Sequence, residues 1–310
     1  MKQHTVMTPY MVGEVHYYST EIGGELVLFD TGPPTPEAIV ELERSVDLKR
    51  LKHLFVTHCH IDHDGLAAYI EEHSDARIFF PAKDIARLRR GEEWVEGFRS
   101  LITSAGFPAE LSRSLLDAFH TPHRYPERFE AAEESDSAAR LGISVIDCSG
   151  HSQSDLVYVV NGQAVTGDIL LRDIFQSSEL TPSADDPFTR FSNYHAYCKS
   201  IPRIVGLRGL TILPAHRYSI DGVDETVLFY IRKLLERARL VKRYAGIEKV
   251  SEVVASICGD TPVAPVITYI KASEIYFLRD FLADPGPLKA ALEGVDLFDG
   301  VRELYSAALA

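Results

Sequence analysis

The stretch Thr57-His58-Cys59-His60-Ile61-Asp62-His63-Asp64-Gly65 constrains this chain more than any other. Three histidines and two aspartates are packed between a short apolar run, His53–Thr57, and an amphipathic run, Gly65–His73. The first run reads as a strand and the second as a helix. Polar groups this dense between two buried elements are costly to keep unless something binds them. Imidazole and carboxylate together suit a borderline divalent metal such as zinc. A histidine-rich surface loop is the plainer alternative, and it gives no reason for the placement between a strand and a helix.

The rest of the chain reads as alternating strands and helices, which indicates an α/β layered core. Residues 14–20 and 25–30 form two strands joined at Gly23-Gly24, a hairpin signal. Pro36-Glu37 opens a helix to about Ser45, and Arg77–Phe80 is a further strand. Residues 82–135 are helix-rich and charged, and read as an insertion over the core. Strands resume at Ile143–Cys148 and Leu156–Thr166, the latter a hairpin around Asn161-Gly162. Residues 170–192 form a long polar loop, and Leu210–Leu213 is the last clear strand. From about Thr226 the chain is helical, with further helices over 250–258 and 272–283. The expected division is a catalytic unit over 1–222 and a C-terminal helical region over 223–310.

Three later positions extend the motif. His151, Asp168 and His216 each follow an apolar strand, in Gly150-His151-Ser152, Thr166-Gly167-Asp168 and Pro214-Ala215-His216. Loops leaving the same ends of neighbouring strands converge, and sites form there. Seven candidate ligands, His58, His60, Asp62, His63, His151, Asp168 and His216, are enough for two metal ions.

These segments, with the early Leu28-Phe29-Asp30-Thr31-Gly32, occur in an order that resembles the metallo-β-lactamase-fold hydrolases, over roughly residues 12–218. The resemblance implies an αββα sandwich with a dinuclear site. On that pattern His58, His60 and His151 hold one ion, Asp62, His63 and His216 hold the second, and Asp168 bridges them. It also implies that Asp30 steadies the ligands from behind; a turn aspartate at a hairpin end is the alternative. Cys59 is expected to point away from the metals as a small buried hydrophobe.

Two ions about 3.5–4 Å apart share a water, lower its pKa and polarise a carbonyl or phosphoryl oxygen. Asp62 is then the candidate catalytic residue, placed to orient or deprotonate that water. No G-x-S-x-G elbow is present, so no serine nucleophile is needed. Zinc is the expected metal, with iron or manganese as alternatives.

The expected function is hydrolysis of a small thioester, ester or lactone, as in the glyoxalase II-like branch. The β-lactamase-like protein 2 branch, with its helical tail and ribonuclease relatives, makes a phosphodiesterase the alternative. A net charge of −13 lowers the expectation of nucleic acid as partner. A non-heme iron oxidoreductase of the same fold and a ligand sensor at a retained metal site are further readings.

No apolar run approaches the length of a membrane helix, and the N-terminus lacks a signal-peptide core. The four cysteines lack a CxxC pairing and read as free thiols. A cytoplasmic location with a small-molecule substrate is therefore expected; oligomeric state stays open. Four features are read first as structural. His120 and His123 read as a solvated turn, and His195 as packing or surface. The basic residues Arg232, Lys233, Arg237, Arg239, Lys242 and Arg243 read as a solvated helix face. Tyr218 reads as surface, with substrate contact as the alternative.

Overall fold

The computed structural model describes residues 1–120, 123–175, 178–259 and 264–310, with the side chains of 119 and 120 left aside. The strands are β1 (Lys2–Met7), β2 (Glu14–Ile22), β3 (Glu25–Phe29), β4 (Leu51–Phe55), β5 (Arg77–Phe80), β6 (Glu130–Ala131), β7 (Ser144–Asp147), β8 (Leu156–Val160), β9 (Gln163–Gly167) and β10 (Thr211–Pro214). The helices of the first half are α1 (Pro36–Ser45), α2 (Ala67–His73), α3 (Ala82–Arg90), α4 (Glu92–Ser104), α5 (Ala109–His120) and α6 (Asp136–Arg140). Those of the second half are α7 (Asn193–Val205), α8 (Val223–Lys242), α9 (Val250–Cys258), α10 (Pro265–Ala283), α11 (Gly286–Glu293) and α12 (Arg302–Leu309).

Two mixed sheets form, ordered β1-β2-β3-β4-β5-β6 and β10-β9-β8-β7. Period-two alternation sorts their side chains between two faces. In the first sheet Tyr18, Val27, Phe29, Phe55 and Phe79 face the second sheet and pack with Leu156, Tyr158 and Val165. Phe29, Phe55 and Phe79 stack in a row, with ring centroids 5.9 Å and then 4.6 Å apart. The alternate residues Tyr17, Leu28, Leu54 and Ile78 turn the other way, against Leu42 of α1, Ile70 of α2 and Ile85 of α3. The outer face of the second sheet, with Val157, Ala164 and Ile212, is covered by α7, α8 and α10 through Ile201, Leu234 and Leu278. The layers therefore run helix, sheet, sheet, helix, the αββα sandwich that the resemblance implies.

Local chemistry explains the element boundaries. Gly23 and Gly24 both take positive φ, as a two-residue hairpin turn demands, and so do Asn161 and Gly162. The Thr35 side chain accepts the N–H of Ala38 and caps α1, with Pro36 in its first turn. Strand β1 was not anticipated, because its polar outward residues, Gln3 and Thr5, mask a half-buried edge strand. The last helix of the expected set is longer than its pattern, starting at Pro265 rather than 272.

One apolar cluster runs from Phe98 and Ile102 of α4, through Ile201 of α7, to Leu234, Phe281 and Leu288 of the C-terminal helices. Helix α10 packs on both α7 and α8. Among the described residues no helix is long and apolar enough to cross a membrane.

Candidate metal centre

The topology brings the candidate ligands to one edge of the sandwich. Strands β7 and β9 both run antiparallel to β8, and β10 runs parallel to β9, so all three end on the same side. His151, Asp168 and His216 follow those ends. Strands β3 and β4 are parallel neighbours in the other sheet, and Asp30 and the His58–His63 motif follow them. Cross-sheet bonds lock the two edges together. The Leu156 N–H donates to the Thr57 carbonyl at 2.9 Å, and the Tyr18 hydroxyl donates to the Pro214 carbonyl at 2.6 Å.

All seven predicted residues converge. His58, His60 and His151 form one cluster, with His60 Nδ1 3.0 Å from His58 Nε2 and 3.2 Å from His151 Nε2. Asp62, His63 and His216 form another, with His216 Nε2 3.4 Å from Asp62 Oδ2 and His63 Nε2 3.7 Å from Asp62 Oδ1. Asp168 lies between them. Its Oδ1 is 3.6 Å from His63 Nε2 and 3.5 Å from His216 Nε2, while its Oδ2 is 3.8 Å from His151 Nε2.

Hydrogen bonds behind the rings fix which nitrogen faces the centre. Asp30, fully buried at positive φ, accepts the Thr57 N–H at Oδ1 and the Thr57 hydroxyl at Oδ2. Its Oδ2 also lies 3.2 Å from His63 Nδ1. The Thr57 hydroxyl proton goes to Asp30, so its oxygen accepts from His58 Nδ1 at 3.1 Å. His216 Nδ1 donates to the Glu14 carbonyl at 2.6 Å. Each of these three rings thus presents an unprotonated Nε2 inward when neutral, the arrangement metal-ligating histidines show.

The donor set fits divalent metal ions. Among the described residues the buried His63 Nε2, His216 Nε2 and Asp168 Oδ1 find no hydrogen-bond partner, and such orphans are rare unless something else satisfies them. Buried His and Asp clusters in this arrangement match a dinuclear site. Imidazole and carboxylate donors suit zinc, iron and manganese alike.

Electrostatics divides the two clusters. Burial, followed by the neighbouring rings of His63, His60 and His151, pushes His58 well below its ordinary value. Burial also lowers His60. For His63 burial acts downward too, but the carboxylates of Asp62, Asp168 and Asp30 outweigh it and raise the ring to about 10. His216 is raised against burial by Asp168 and Asp62. At pH 7 in the metal-free protein His63 therefore carries a proton, whereas His58 and His60 do not. Filling the second cluster must expel at least the His63 proton, and filling the first must expel none from those two rings. Calorimetric titration with zinc in buffers of differing ionisation enthalpy should show this release. The second ion should also weaken more steeply as pH falls; an equal pH slope for both ions would contradict the assignment.

Glycines explain the approach of the loops. Gly167 has φ +52, and a Cβ there would lie 2.8 Å from Thr57 Oγ1. A Cβ on Gly150 would lie 2.9 Å from the Tyr197 ring. Gly167→Ala should destabilise the protein by about 2–4 kcal/mol, from left-handed backbone strain plus overpacking. It should also weaken metal binding, because it displaces the residue that holds His58. Denaturant midpoints and zinc titration of the variant check both.

Several supporting residues escaped the sequence reading. Asp155 is buried and accepts the N–H groups of Gly150 and Ser152, which shapes the turn carrying His151. Burial raises its carboxyl to about 6. The spacing Ser152-x-x-Asp155 was the available signal. Asp84 of α3 accepts the Cys59 N–H at 2.9 Å and the Ser154 hydroxyl at 2.6 Å, tying α3 to both ligand loops. Cys59 itself is buried. Glu179 of the 170–192 loop approaches His60 Nε2 at 4.0 Å.

The readings of isolated residues need one correction. His123 is not in a solvated turn: its side chain is 3% exposed and its Nε2 is 3.1 Å from Oδ2 of the fully buried Asp64. Its ring also stacks on Tyr125 at 4.1 Å. A buried carboxylate needs a polar partner, and local sequence does not reveal which residue supplies it. The side chain of His120 lies outside the described residues. His195 is partly exposed and bridges Ser192 and Asp284. Of the basic residues, Lys233 pairs with Glu236, Arg237 with Glu274, and Lys242 Nζ donates to the Leu309 carbonyl.

Comparison with solved structures supports the fold. A metallo-beta-lactamase family protein from Thermus thermophilus superposes with a TM-score of 0.70 at 21% identity, over 92% of this chain and 93% of that one. A beta-lactamase domain protein from Burkholderia ambifaria gives 0.68 at 17%, over 92% and 86%. No curated protein sequence matches the chain. The sequence profile of the metallo-beta-lactamase superfamily matches residues 12–216, which contain every candidate ligand described above, and the chain belongs to that superfamily.

Proposed function

We propose that the chain is a dinuclear metal-dependent hydrolase of a small thioester, ester or lactone. The observation that carries this reading is the placement of Asp168 between two complete three-residue clusters. In this reading His58, His60 and His151 would hold one ion and Asp62, His63 and His216 the other, with Asp168 placed between the two clusters. Ions held there would supply an acidified water and an electrophile for a carbonyl oxygen. The chain's own residues do the rest. Asp62 is held ionised, because His63 and His216 outweigh the effect of burial on its carboxyl. It can therefore accept a hydrogen bond from a water and orient it. Asp30 and Thr57 keep His58 and His63 in the tautomers that face the centre.

Hydrolysis is favoured over oxidation because the second cluster is complete. An acyl substrate is favoured over a phosphodiester by the charge of −13, which opposes a polyanion. Zinc is the proposed metal and the cytosol the proposed location.

Elemental analysis of the purified protein tests the reading, followed on the same sample by thioesters, lactones and bis-(p-nitrophenyl) phosphate. About two metals per chain with thioester or lactone turnover supports it. Turnover of the phosphodiester alone replaces it with the nuclease reading. One iron without ester turnover points to an oxygenase, and no turnover at all to a sensor.

A further inference from the structure

The loop that runs from His58 to Gly65 is held from outside at three points. Thr31, just after β3, holds its far end: the Thr31 N–H donates to the His63 carbonyl at 2.7 Å, and the Thr31 hydroxyl donates to the same carbonyl at 2.9 Å. Asp84 of α3 accepts the Cys59 N–H at the near end. The third hold is a polar pair that plays no part in the chemistry described so far. Asp64 is fully buried, and among the described residues neither of its carboxyl oxygens has a hydrogen-bond partner. What lies against it is His123, whose Nε2 is 3.1 Å from Asp64 Oδ2 and whose side chain is itself buried.

His123 reaches Asp64 from the last part of the 82–135 insertion, and that part is pinned in place. The His123 ring stacks on Tyr125 with centroids 4.1 Å apart, and Tyr125 meets Phe80 of β5 edge-on at 6.5 Å. Glu71 of α2 accepts the N–H groups of Glu127 and Arg128 at 2.7 and 2.8 Å. Helix α2 is in turn the continuation of the ligand loop, because the Ala67 N–H donates to the Asp64 carbonyl at 2.8 Å. The loop, α2 and residues 123–128 therefore form a ring of contacts, and the Asp64–His123 pair closes it.

A buried carboxylate is costly unless partnered, and an apolar pair of similar volume would hold such a ring together at least as well. The pair is thus a weak device for stability, and what it adds is direction: it fixes one side chain immediately after His63. Asp64 follows Asp62 and His63, two of the three residues of the second cluster. The first cluster is held differently, with His151 on another loop and His58 bonded to Thr57. We propose that His123 is a positioning residue for the second metal cluster, acting through Asp64 on the turn that carries Asp62 and His63. The insertion is then part of the support of the metal centre as well as a cover over the core. The inference rests on the two-ion part of the reading above and not on its substrate.

The test is calorimetric titration of the full chain with zinc in two backgrounds. His60→Ala leaves the second cluster complete, and His216→Ala leaves the first. Adding His123→Ala to His60→Ala is expected to weaken zinc binding by about 10–100-fold, the range for residues that orient metal ligands. Adding it to His216→Ala should leave the affinity as it is. His123→Gln, which keeps an N–H donor, should recover part of the loss, and it carries the same comparison if the alanine variant does not fold. Arg124→Ala, which removes only the exposed pair with Glu72, should change neither affinity. Equal losses in both backgrounds, or a lower denaturation midpoint with both affinities unchanged, overturn the role and leave His123 a packing residue. A His60→Ala protein that binds no zinc removes the two-ion reading and this inference with it. The expected split without turnover of any ester removes the hydrolase reading and leaves His123 in its role.

Discussion

Asp168→Ala is expected to lower bound metal from about two ions per chain to one or fewer, and to reduce turnover on the order of 10³-fold or more. The scale is that of removing one preorganised electrostatic group from an active site. The reasoning is geometric. Asp168 is the residue whose two oxygens face both clusters, so its loss removes a donor from each. It also removes part of the negative charge that lifts His63 and His216. Their pKa values should fall, and the proton release on zinc binding at pH 7 should shrink with them. His60→Ala should differ, losing metal from the first cluster while leaving that proton release largely intact. Metal analysis and single-turnover rates on the same preparations separate the two. Unchanged turnover in Asp168→Ala would falsify the dinuclear mechanism.

Asp30→Ala should destabilise the protein by about 3–5 kcal/mol, as expected when one partner of a buried, charge-bearing network is removed. The Thr57 N–H, the Thr57 hydroxyl and His63 Nδ1 would all lose their acceptor. Alanine would also sit at φ +58, where Asp and Asn are tolerated and Ala is strained. Asp30→Asn separates these effects. It keeps the backbone and one acceptor oxygen, but no longer accepts at both positions. Its stability loss should be smaller, and zinc affinity should still fall by about 10–100-fold, the range for residues that orient metal ligands. Thermal denaturation with and without zinc would show both components. Equal metal affinity in wild type and Asp30→Asn would remove Asp30 from the support of the centre.

Much of this was legible in the sequence, for physical reasons that differ by element. The clustering of the candidate ligands was legible because residues that follow the ends of neighbouring apolar strands converge. Strands β4, β7, β9 and β10 each end just before a histidine or aspartate of the centre. The hairpin turns were legible because Gly23-Gly24 and Asn161-Gly162 fill positions that other residues avoid. Residues acting across the chain were not legible. Asp84 reaches Cys59 and Ser154 from a helix that reads as an ordinary charged surface. His123 pairs with Asp64 across an intervening segment whose length carries no pattern. The edge strand β1 escaped for a different reason: one neighbour and one wet face leave too few apolar residues to show a period.

The apolar cluster that joins α4, α7 and the C-terminal helices has a consequence for how the chain is made. Synthesis delivers β8, β9 and β10 well before α10, so Val157, Ala164 and Ile212 emerge without the residues that cover them. Nascent chains expose such surface until their partners arrive, and aggregation competes during that interval. The candidate ligands are all present by residue 216, yet the sheet that carries three of them is capped only once α8 and α10 have been made. Ribosomal pausing after β10 would lengthen this vulnerable window, and slow decoding beyond residue 281 would not.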